Sequence, residues 1–258
     1  MIGIIYFIII VFANTIGAIS GMGGGVLIKP IFDLINVHSV AAISFYSSAA
    51  VLTMSIVSTS RQIKNGMSIN WIFALNISIG AVIGGFLGNS VFEKILNVFP
   101  EENEVQLVQI ILTIITLIFS FMYSKGIWKN FGYKSVILKL GSGLVLGFLA
   151  TLLGIGGGPI NVALLMLLFN IPIKHATVYS IVTIFFSQLS KVLAIVLTGD
   201  MSRYDLTMLY YIIPAAILGG ALGAYVSGKV SDSKVSQIYR FVIILVLIIN
   251  IYNGWRGF

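Results

Sequence analysis

Apolar runs of about twenty residues, almost free of charged side chains, follow one another along nearly the whole chain. They constrain the fold more than any other feature, because a helix needs an apolar run of roughly this length to cross a lipid bilayer. Charged residues make up only 9% of the sequence, whereas soluble domains carry about 25%. A soluble fold of this size must also present a mostly polar exterior. The sequence therefore predicts an all-α polytopic membrane protein.

Ten apolar segments are visible, and most of them are long enough to span a membrane. The second and the seventh fall short of the roughly 20 residues that a crossing needs, and each directly follows a cluster of glycines. The predicted segments cover residues 2–20, 26–37, 40–60, 69–91, 104–124, 136–153, 159–172, 177–198, 205–227 and 238–255.

The two halves of the chain repeat the same short motifs in the same order. Coincidence among small residues is the alternative, but the matching order and spacing favour a duplicated unit of five segments. The predicted division is a first repeat over 1–124, a basic cytoplasmic linker over 125–139 and a second repeat over 140–258. The matched pairs are GMGGG at 21–25 with GIGGG at 154–158, Met67-Ser68 with Met201-Ser202, and GGFLG at 84–88 with GGALG at 219–223.

The loops between the segments alternate in charge, and this alternation predicts how the halves are oriented. If each short segment forms an in-and-back hairpin with its predecessor, each half crosses the membrane an odd number of times. Two such halves must be inverted relative to each other. The order of the loops is basic at 61–68, acidic at 92–104, basic at 125–139, acidic at 199–205 and basic at 228–240. Because basic loops remain in the cytoplasm, equivalent loops then face opposite sides.

This topology predicts two inverted five-segment repeats in a multi-pass membrane protein, with both termini extracytoplasmic. Arg256 near the C-terminus disagrees mildly with that orientation. The net charge of +7 is explained by the basic loops, so nucleic acid is not expected as a partner. The basic, aromatic linker is expected at the lipid surface. The sequence leaves room for a homodimer.

The glycines divide into two groups with different predicted roles. Close packing of helices is expected of Gly80, Gly84, Gly88, Gly219 and Gly223, because a spacing of four places small residues on one helix face. Consecutive glycines point around the whole helix and destabilise it by about 1 kcal/mol each relative to alanine. The clusters are therefore predicted to break the helix, although packing is the alternative for any glycine.

Each break is predicted to be followed by a new helix, and a helix start attracts anions. Pro159 supports this interpretation, because proline is well tolerated at the first position of a helix. The unpaired N–H groups and the positive end of the helix dipole lie there, and glycine lets an anion approach them closely. Two inverted halves would bring two glycine-broken hairpins together near the bilayer midplane. The predicted anion-binding glycines are Gly23, Gly24, Gly25, Gly156, Gly157 and Gly158.

Five polar side chains inside apolar segments are candidate substrate contacts: Asn14, Thr15, Asn161, Gln188 and Lys191. The amides and the hydroxyl could instead cap the broken backbone. Lys191 could neutralise an anion, because buried charges in membranes are functional by default. The alternative is that its side chain extends to the outer interface and leaves the ammonium in water.

Lys29 and Asp33 stand four residues apart on the first short segment, a spacing that favours an ion pair on one helix. Neither side chain belongs in lipid, so that helix must be covered by protein or reach the interface. No intramembrane acid away from an interface stands out as a proton carrier. The sequence therefore favours uniport or gradient-driven exchange.

These motifs resemble the TauE/SafE sulfite exporter family, also called the toluene-sulfonate uptake permease family. The resemblance rests on both glycine-triplet hairpins, the paired glycines of the fourth segment in each half, the RQIKNG loop at 61–66 and the basic linker. It implies a membrane transporter of small sulfur-containing oxyanions such as sulfite or organosulfonates, and sometimes of other organic anions. Together with the small size of the chain, the resemblance also implies the cell inner membrane as its location. The family pattern falls on Gly21, Gly23, Gly24, Gly25, Gly154, Gly156, Gly157, Gly158 and Pro159.

The sequence lacks the residue patterns and motifs that are typical of metalloproteins, ATP-driven pumps and enzymes. With no cysteine and two histidines, no metal or other cofactor is expected. We find no nucleotide-binding motif and no nucleophile–base pair, so neither an ATP-driven pump nor an enzyme is predicted. The predicted function is secondary transport of a small anion. The alternatives are an anion channel with the glycine turns as its filter, and a non-transporting membrane subunit or assembly factor.

Overall fold

The computed structural model describes residues 1–198 and 201–256, and within them the chain forms ten α-helices joined by short turns. Two one-turn 3-10 helices, Met201–Arg203 and Leu206–Met208, precede the ninth helix. The α-helices are α1 (Ile2–Ser20), α2 (Gly25–Ile35), α3 (Val40–Lys64), α4 (Trp71–Val98), α5 (Glu102–Ser124), α6 (Val136–Leu152), α7 (Pro159–Phe169), α8 (Ile173–Thr198), α9 (Leu209–Lys229) and α10 (Asp232–Arg256).

The helices correspond one to one with the ten predicted segments, but several extend further. Helix α4 continues to Val98, α8 begins at Ile173 and α10 begins at Asp232. Helix α6 begins at Val136, where its predicted segment begins, and so includes the last four residues of the predicted linker. The reason is that apolarity ends where the lipid core ends, whereas backbone hydrogen bonding continues for another turn or two through charged residues.

Seven helices are long and apolar enough to cross a membrane, counted over the residues that the structure describes: α1, α3, α4, α5, α8, α9 with its preceding 3-10 turn, and α10. Helices α2, α6 and α7 are shorter. The prediction of an all-α, multi-pass membrane protein is therefore confirmed.

Helices α1 and α2 form an antiparallel hairpin that returns to the side where it began. The ring of Tyr6, near the start of α1, stacks on that of Phe32, near the end of α2, with centroids 3.6 Å apart. The reversal is made by Gly21 and Gly23, whose φ angles are +72° and +75°. Glycine adopts this left-handed region without steric cost. The sequence left open whether the hairpin crosses the membrane fully or turns back midway. The Tyr6–Phe32 contact shows that the end of α2 lies beside the start of α1, so the hairpin turns back.

Helices α6 and α7 form the second hairpin in the same way. The linker just before α6 is bonded to the end of α7, because the Phe131 and Tyr133 amides each donate to a carbonyl, of Leu167 and of Leu168, at 2.8 Å. The turn uses three glycines with positive φ: Gly154 at +65°, Gly156 at +64° and Gly157 at +137°.

The two hairpins open at opposite ends of the bundle, as α10 demonstrates. Near its start, Ser236 lines a cavity together with Trp128 of the linker. Near its end, the Asn253 amide donates to the Pro30 carbonyl of α2 at 2.8 Å. A helix of 25 residues spans about 37 Å, so the start of α6 and the end of α2 lie far apart. An inverted repeat requires this arrangement, and its inversion across a membrane remains a prediction.

Helices of the two halves pack against each other in matched pairs, with α4 along α6 and α1 along α9. The predicted packing glycines form these contacts. A methyl group added to Gly84 would collide with the Leu144 carbonyl, and one added to Gly223 would collide with the Thr15 carbonyl. The backbones approach closely because these positions carry no side chain.

The α4–α6 contact predicts a large stability effect at one position. Gly84→Leu is expected to destabilise the protein by about 1–3 kcal/mol, because the added side chain overpacks a backbone contact. Thermal unfolding of the purified protein in detergent measures this effect. Gly141→Leu is the matched control, since no described atom lies within 4 Å of a methyl group built there. Equal unfolding temperatures for the two variants would contradict the packing role.

Candidate functional site

The two glycine turns touch each other in the middle of the bundle. A methyl group added to Gly25 would collide with the carbonyl oxygen of Ile155 in the other turn. One added to Gly157 would lie 3.2 Å from the Met22 carbonyl oxygen, and one added to Gly23 would lie 3.5 Å from that of Gly156. Both turns are buried throughout. The structure thus brings the six predicted glycines to one place.

Both short helices begin at this contact. Helix α2 starts at Gly25 after Gly24, and α7 starts at Pro159 after Gly158. The predicted role of Pro159 at the first helical position is confirmed. Neither start is capped by a described side chain, so the first N–H groups and the positive dipole ends of two helices lie at the same buried point.

The candidate amides lie close to the turns, and the candidate hydroxyl does not. Asn14 packs against the backbone of Gly24, and its amide donates to the Ala50 carbonyl at 3.4 Å. Asn161 is buried on the first turn of α7, and neither of its amide atoms has a hydrogen-bond partner among the described residues. Thr15 donates to the Val11 carbonyl of its own helix at 2.7 Å, which favours the local role over ligand contact.

Lys191 lies deep in the protein, with 1% of its surface exposed. Its Nζ donates to the Ser44 hydroxyl at 2.5 Å and to the Thr151 carbonyl at 3.1 Å, and it lies 5.0 Å from the centroid of the Phe92 ring. The alternative interpretation, in which this side chain extends to the interface, is wrong. The reason is that α8 packs against α3 and α4 and its neighbours cover the lysine on all sides.

Gln188 lies one turn before Lys191 and is fully buried. Its amide nitrogen makes a long contact of 3.4 Å with the Ser187 hydroxyl, and its Oε1 has no partner in the part of the chain that the structure describes. Three predicted side chains, Asn14 through its Oδ1, Asn161 and Gln188, therefore hold unused hydrogen-bonding capacity inside the bundle. Such groups are costly unless something pairs with them.

The predicted ion pair on α2 is confirmed, with Lys29 Nζ 2.7 Å from Asp33 Oδ2. Both side chains are covered by protein and not exposed to lipid. The Lys29 stem also reaches the second turn, since a methyl group built on Gly154 would lie 3.3 Å from its Cδ and 2.5 Å from the Ser44 hydroxyl. Both lysines therefore approach the second turn. The Lys29 stem lies directly against Gly154, and Lys191 bonds the Ser44 hydroxyl that also lies against Gly154.

The loop before α3 is packed where the first hairpin opens. His38 Nδ1 is 2.9 Å from the Tyr6 hydroxyl, and its ring lies edge-on to Tyr46. Burial lowers the pKa of His38, while the Asp205 carboxylate acts in the opposite direction. The Tyr46 hydroxyl donates to the Asp205 carbonyl at 3.1 Å. The rings of Tyr6, His38 and Tyr46 therefore cover the open end of the first hairpin, at the end of the bundle where α1 begins and α10 ends.

The profile of the sulfite exporter TauE/SafE family matches residues 6–252. The chain belongs to the TauE/SafE family. Among its curated relatives, the probable membrane transporter protein YunE of Bacillus subtilis is 25% identical over 94% of both chains. The probable membrane transporter protein MJ0441 of Methanocaldococcus jannaschii is 25% identical over 84% of both chains. No solved structure matches. Together with the apolar helices, these matches identify a multi-pass membrane transporter.

Three residues outside the predicted set of contacts build the centre of this TauE/SafE protein. Ser44 and Thr151 hold Lys191, and Ser180 donates to the Gly21 carbonyl of the first turn at 2.5 Å. The sequence signal was the serine-rich stretch that recurs in both halves, but hydroxyls in membrane helices usually bond to their own backbone. Ser48 and Thr183 do so, donating to the Ser44 and Tyr179 carbonyls.

Proposed function

We propose that this TauE/SafE protein is a secondary transporter of small anions and that it binds them where the two glycine turns meet. The substrate class is that of sulfur oxyanions, such as sulfite or organosulfonates. The family's description supports this class, and the chemistry of the centre supports an anion independently.

The observation that carries the proposal is the concentration of positive charge at one buried point. Two uncapped helix starts lie there, the Lys29 stem approaches the second turn, and the Lys191 ammonium bonds Ser44 beside the same turn. Over the residues that the structure describes, Asp33 is the one buried acid. Lys191 hydrogen-bonds neutral groups, so an anion would give it the charged partner that favours a buried cation.

The size of the centre favours a carrier that must open. A cavity beside the second turn, lined in part by Leu153 and Ile155, has a volume of about 10 Å³, which is close to the space for one water molecule. A sulfur oxyanion is much larger, so the turns must separate to admit it. A buried site between repeats that open in alternation is the arrangement of many secondary transporters.

Ligand-induced stabilisation tests the proposal. We expect one or more of sulfite, thiosulfate, sulfate, taurine and sulfoacetate to raise the thermal unfolding temperature of the purified protein, with lactate and chloride as comparison anions. A ligand at 100 times its dissociation constant stabilises the native state by about 2.7 kcal/mol. The shift should vanish when Lys191 is replaced by methionine.

Flux through proteoliposomes separates the remaining functions. A carrier gives saturable uptake and counterflow, whereas a channel gives neither counterflow nor saturation at low substrate. A non-transporting subunit gives no flux when purified alone. No stabilisation by any sulfur oxyanion, together with no flux, would contradict the proposal.

A further inference from the structure

Asp33 lies between the outside of the bundle and the glycine turns. On one side it lines a surface cavity of about 120 Å³ together with Asn36 and Arg256. On the other side it lines a small cavity of about 10 Å³ that Leu153 and Ile155 of the second turn also line. Asp33 is the residue that lines both cavities, and α10 lines each of them through one asparagine, Asn253 at the surface cavity and Asn250 at the inner one. Asp33 therefore marks a route between them.

Only one of the two carboxylate oxygens of Asp33 has a hydrogen-bond partner among the described residues. Its Oδ2 is bonded to Lys29 at 2.7 Å, and its side chain is 4% exposed. Its Oδ1 has no hydrogen-bond partner anywhere in residues 1–198 and 201–256. A buried, ionised oxygen without a donor is costly, and this one is next to a cavity through which a proton can arrive.

We propose that Asp33 binds the proton that accompanies the anion, so that the protein is an anion–proton symporter. This inference rests on the proposed function. A proton from the surface cavity adds to Oδ1 and makes the carboxyl neutral. The Lys29 ammonium then loses its charged partner and pairs with the anion at the second turn. On release, the anion leaves, the proton leaves Asp33, and the ion pair forms again.

Counting charge explains why the proton is needed. Without substrate, Lys29 and Asp33 neutralise each other, and the Lys191 ammonium hydrogen-bonds only the neutral Ser44 hydroxyl and Thr151 carbonyl. A divalent anion brings two negative charges, of which Lys191 can match one. The second is matched only when Asp33 is neutral and Lys29 is free. An unmatched charge at this depth is strongly disfavoured, because it has lost its hydration and gained no partner.

Among the described polar and titratable side chains that line the two cavities with Asp33, none is a second carboxylate, so Asp33 is the group that can accept the proton. Helix α1 presents Tyr6, which is held by His38, and α10 presents Arg256, whose guanidinium stays protonated. Helix α5 presents the amides of Asn103, Gln106 and Gln109. From α3, Tyr46 lies against His38, and α8 contributes Lys191 beyond the second turn.

Thiosulfate uptake into proteoliposomes tests the inference, because thiosulfate stays divalent at neutral pH and any proton moved must be carried by the protein. With wild type, we expect inward thiosulfate flux to draw protons inward, as read by an internal pH dye. Uptake below saturation should rise by up to about tenfold for each pH unit of external acidification. Asp33→Asn should retain thiosulfate counterflow and lose both the proton movement and the pH dependence.

Two further variants make the result specific. Glu101→Gln removes an exposed acid at the same end of the bundle and should leave the coupling intact, and Asp33→Glu should restore part of it. Wild-type thiosulfate flux that moves no protons would overturn the inference and leave the proposed function standing. No wild-type flux of thiosulfate or of any other sulfur oxyanion would overturn the proposed function and the inference with it. Proton movement that persists in Asp33→Asn would overturn the assignment to Asp33. If Asp33→Asn does not fold, Asp33→Ser is measured in its place, and the same result would overturn the assignment.

Discussion

Replacing Gly157 with leucine is expected to abolish anion transport while the protein remains folded. The φ of Gly157 is +137°, a conformation that costs other residues about 1–3 kcal/mol. A methyl group there would lie 2.5 Å from Ile184 Cδ1 and 3.2 Å from the Met22 carbonyl of the facing turn. The larger leucine would wedge the two turns apart. The paired helices α1–α9 and α4–α6 lie outside this contact and should hold the fold. Uptake by proteoliposomes and gel filtration measure the two properties.

A matched control separates backbone strain from the effect on the site. Gly126 has a φ of +75°, and no atom of the described chain lies within 4 Å of a methyl group built on it. Gly126→Leu therefore adds strain in the linker without touching the turns, and it should transport normally. Gly24→Leu, which collides with Asn14, should behave like Gly157→Leu. Normal transport by both turn variants would rule out the glycine turns as the anion site.

Replacing Lys191 with methionine is expected to produce the second large loss. Methionine keeps the length and apolar packing of the stem and removes the charge. Truncating one member of a buried charge pair typically costs about 2–5 kcal/mol, which corresponds to a loss of affinity of about 30-fold to several thousand-fold. Isotope-labelled anion binding and uptake measure it. The folded state should survive, because Lys191 is held by neutral groups and leaves no buried acid behind.

The control for Lys191 is a lysine with a similar aromatic contact outside the centre. Lys139 Nζ lies 5.4 Å from the centroid of the Phe73 ring, compared with 5.0 Å between Lys191 and Phe92. Lys139→Met should therefore leave anion affinity unchanged. If Lys191→Met bound the anion as tightly as wild type, the lysine would be a packing residue. Lys191→Arg should recover part of the affinity if charge is what matters.

The helices themselves could be predicted because lipid imposes a simple rule on sequence. A membrane helix must be apolar for about 20 residues, and backbone groups must pair within it, so ten apolar runs became ten helices. The glycine breaks were also visible, since Gly21 and Gly154 adopt conformations that only glycine enters at little cost. The ends of the helices were harder to predict, because a helix can continue through charged residues beyond the end of its apolar run.

The surroundings of the candidate site depended on contacts between distant parts of the chain. Nothing local to Lys191 distinguishes a lysine that extends to the interface from one that bonds Ser44, which lies 147 residues away in sequence. The meeting of Gly25 with Ile155 likewise follows from how two hairpins pack. Hydroxyls such as Ser180 look like ordinary helix residues until the neighbouring turn is in place.

The sequence by itself determined the membrane class, the ten helices, the two glycine turns and the Lys29–Asp33 pair, because each depends on residues within one or two helical turns. Only the tertiary structure decided that the hairpins turn back, that their turns touch, and that Lys29 and Lys191 approach the same point. Those features arise when α4 pairs with α6 and α1 with α9. Such packing is set by the shapes of surfaces that are far apart in the chain, and apolarity alone does not encode it.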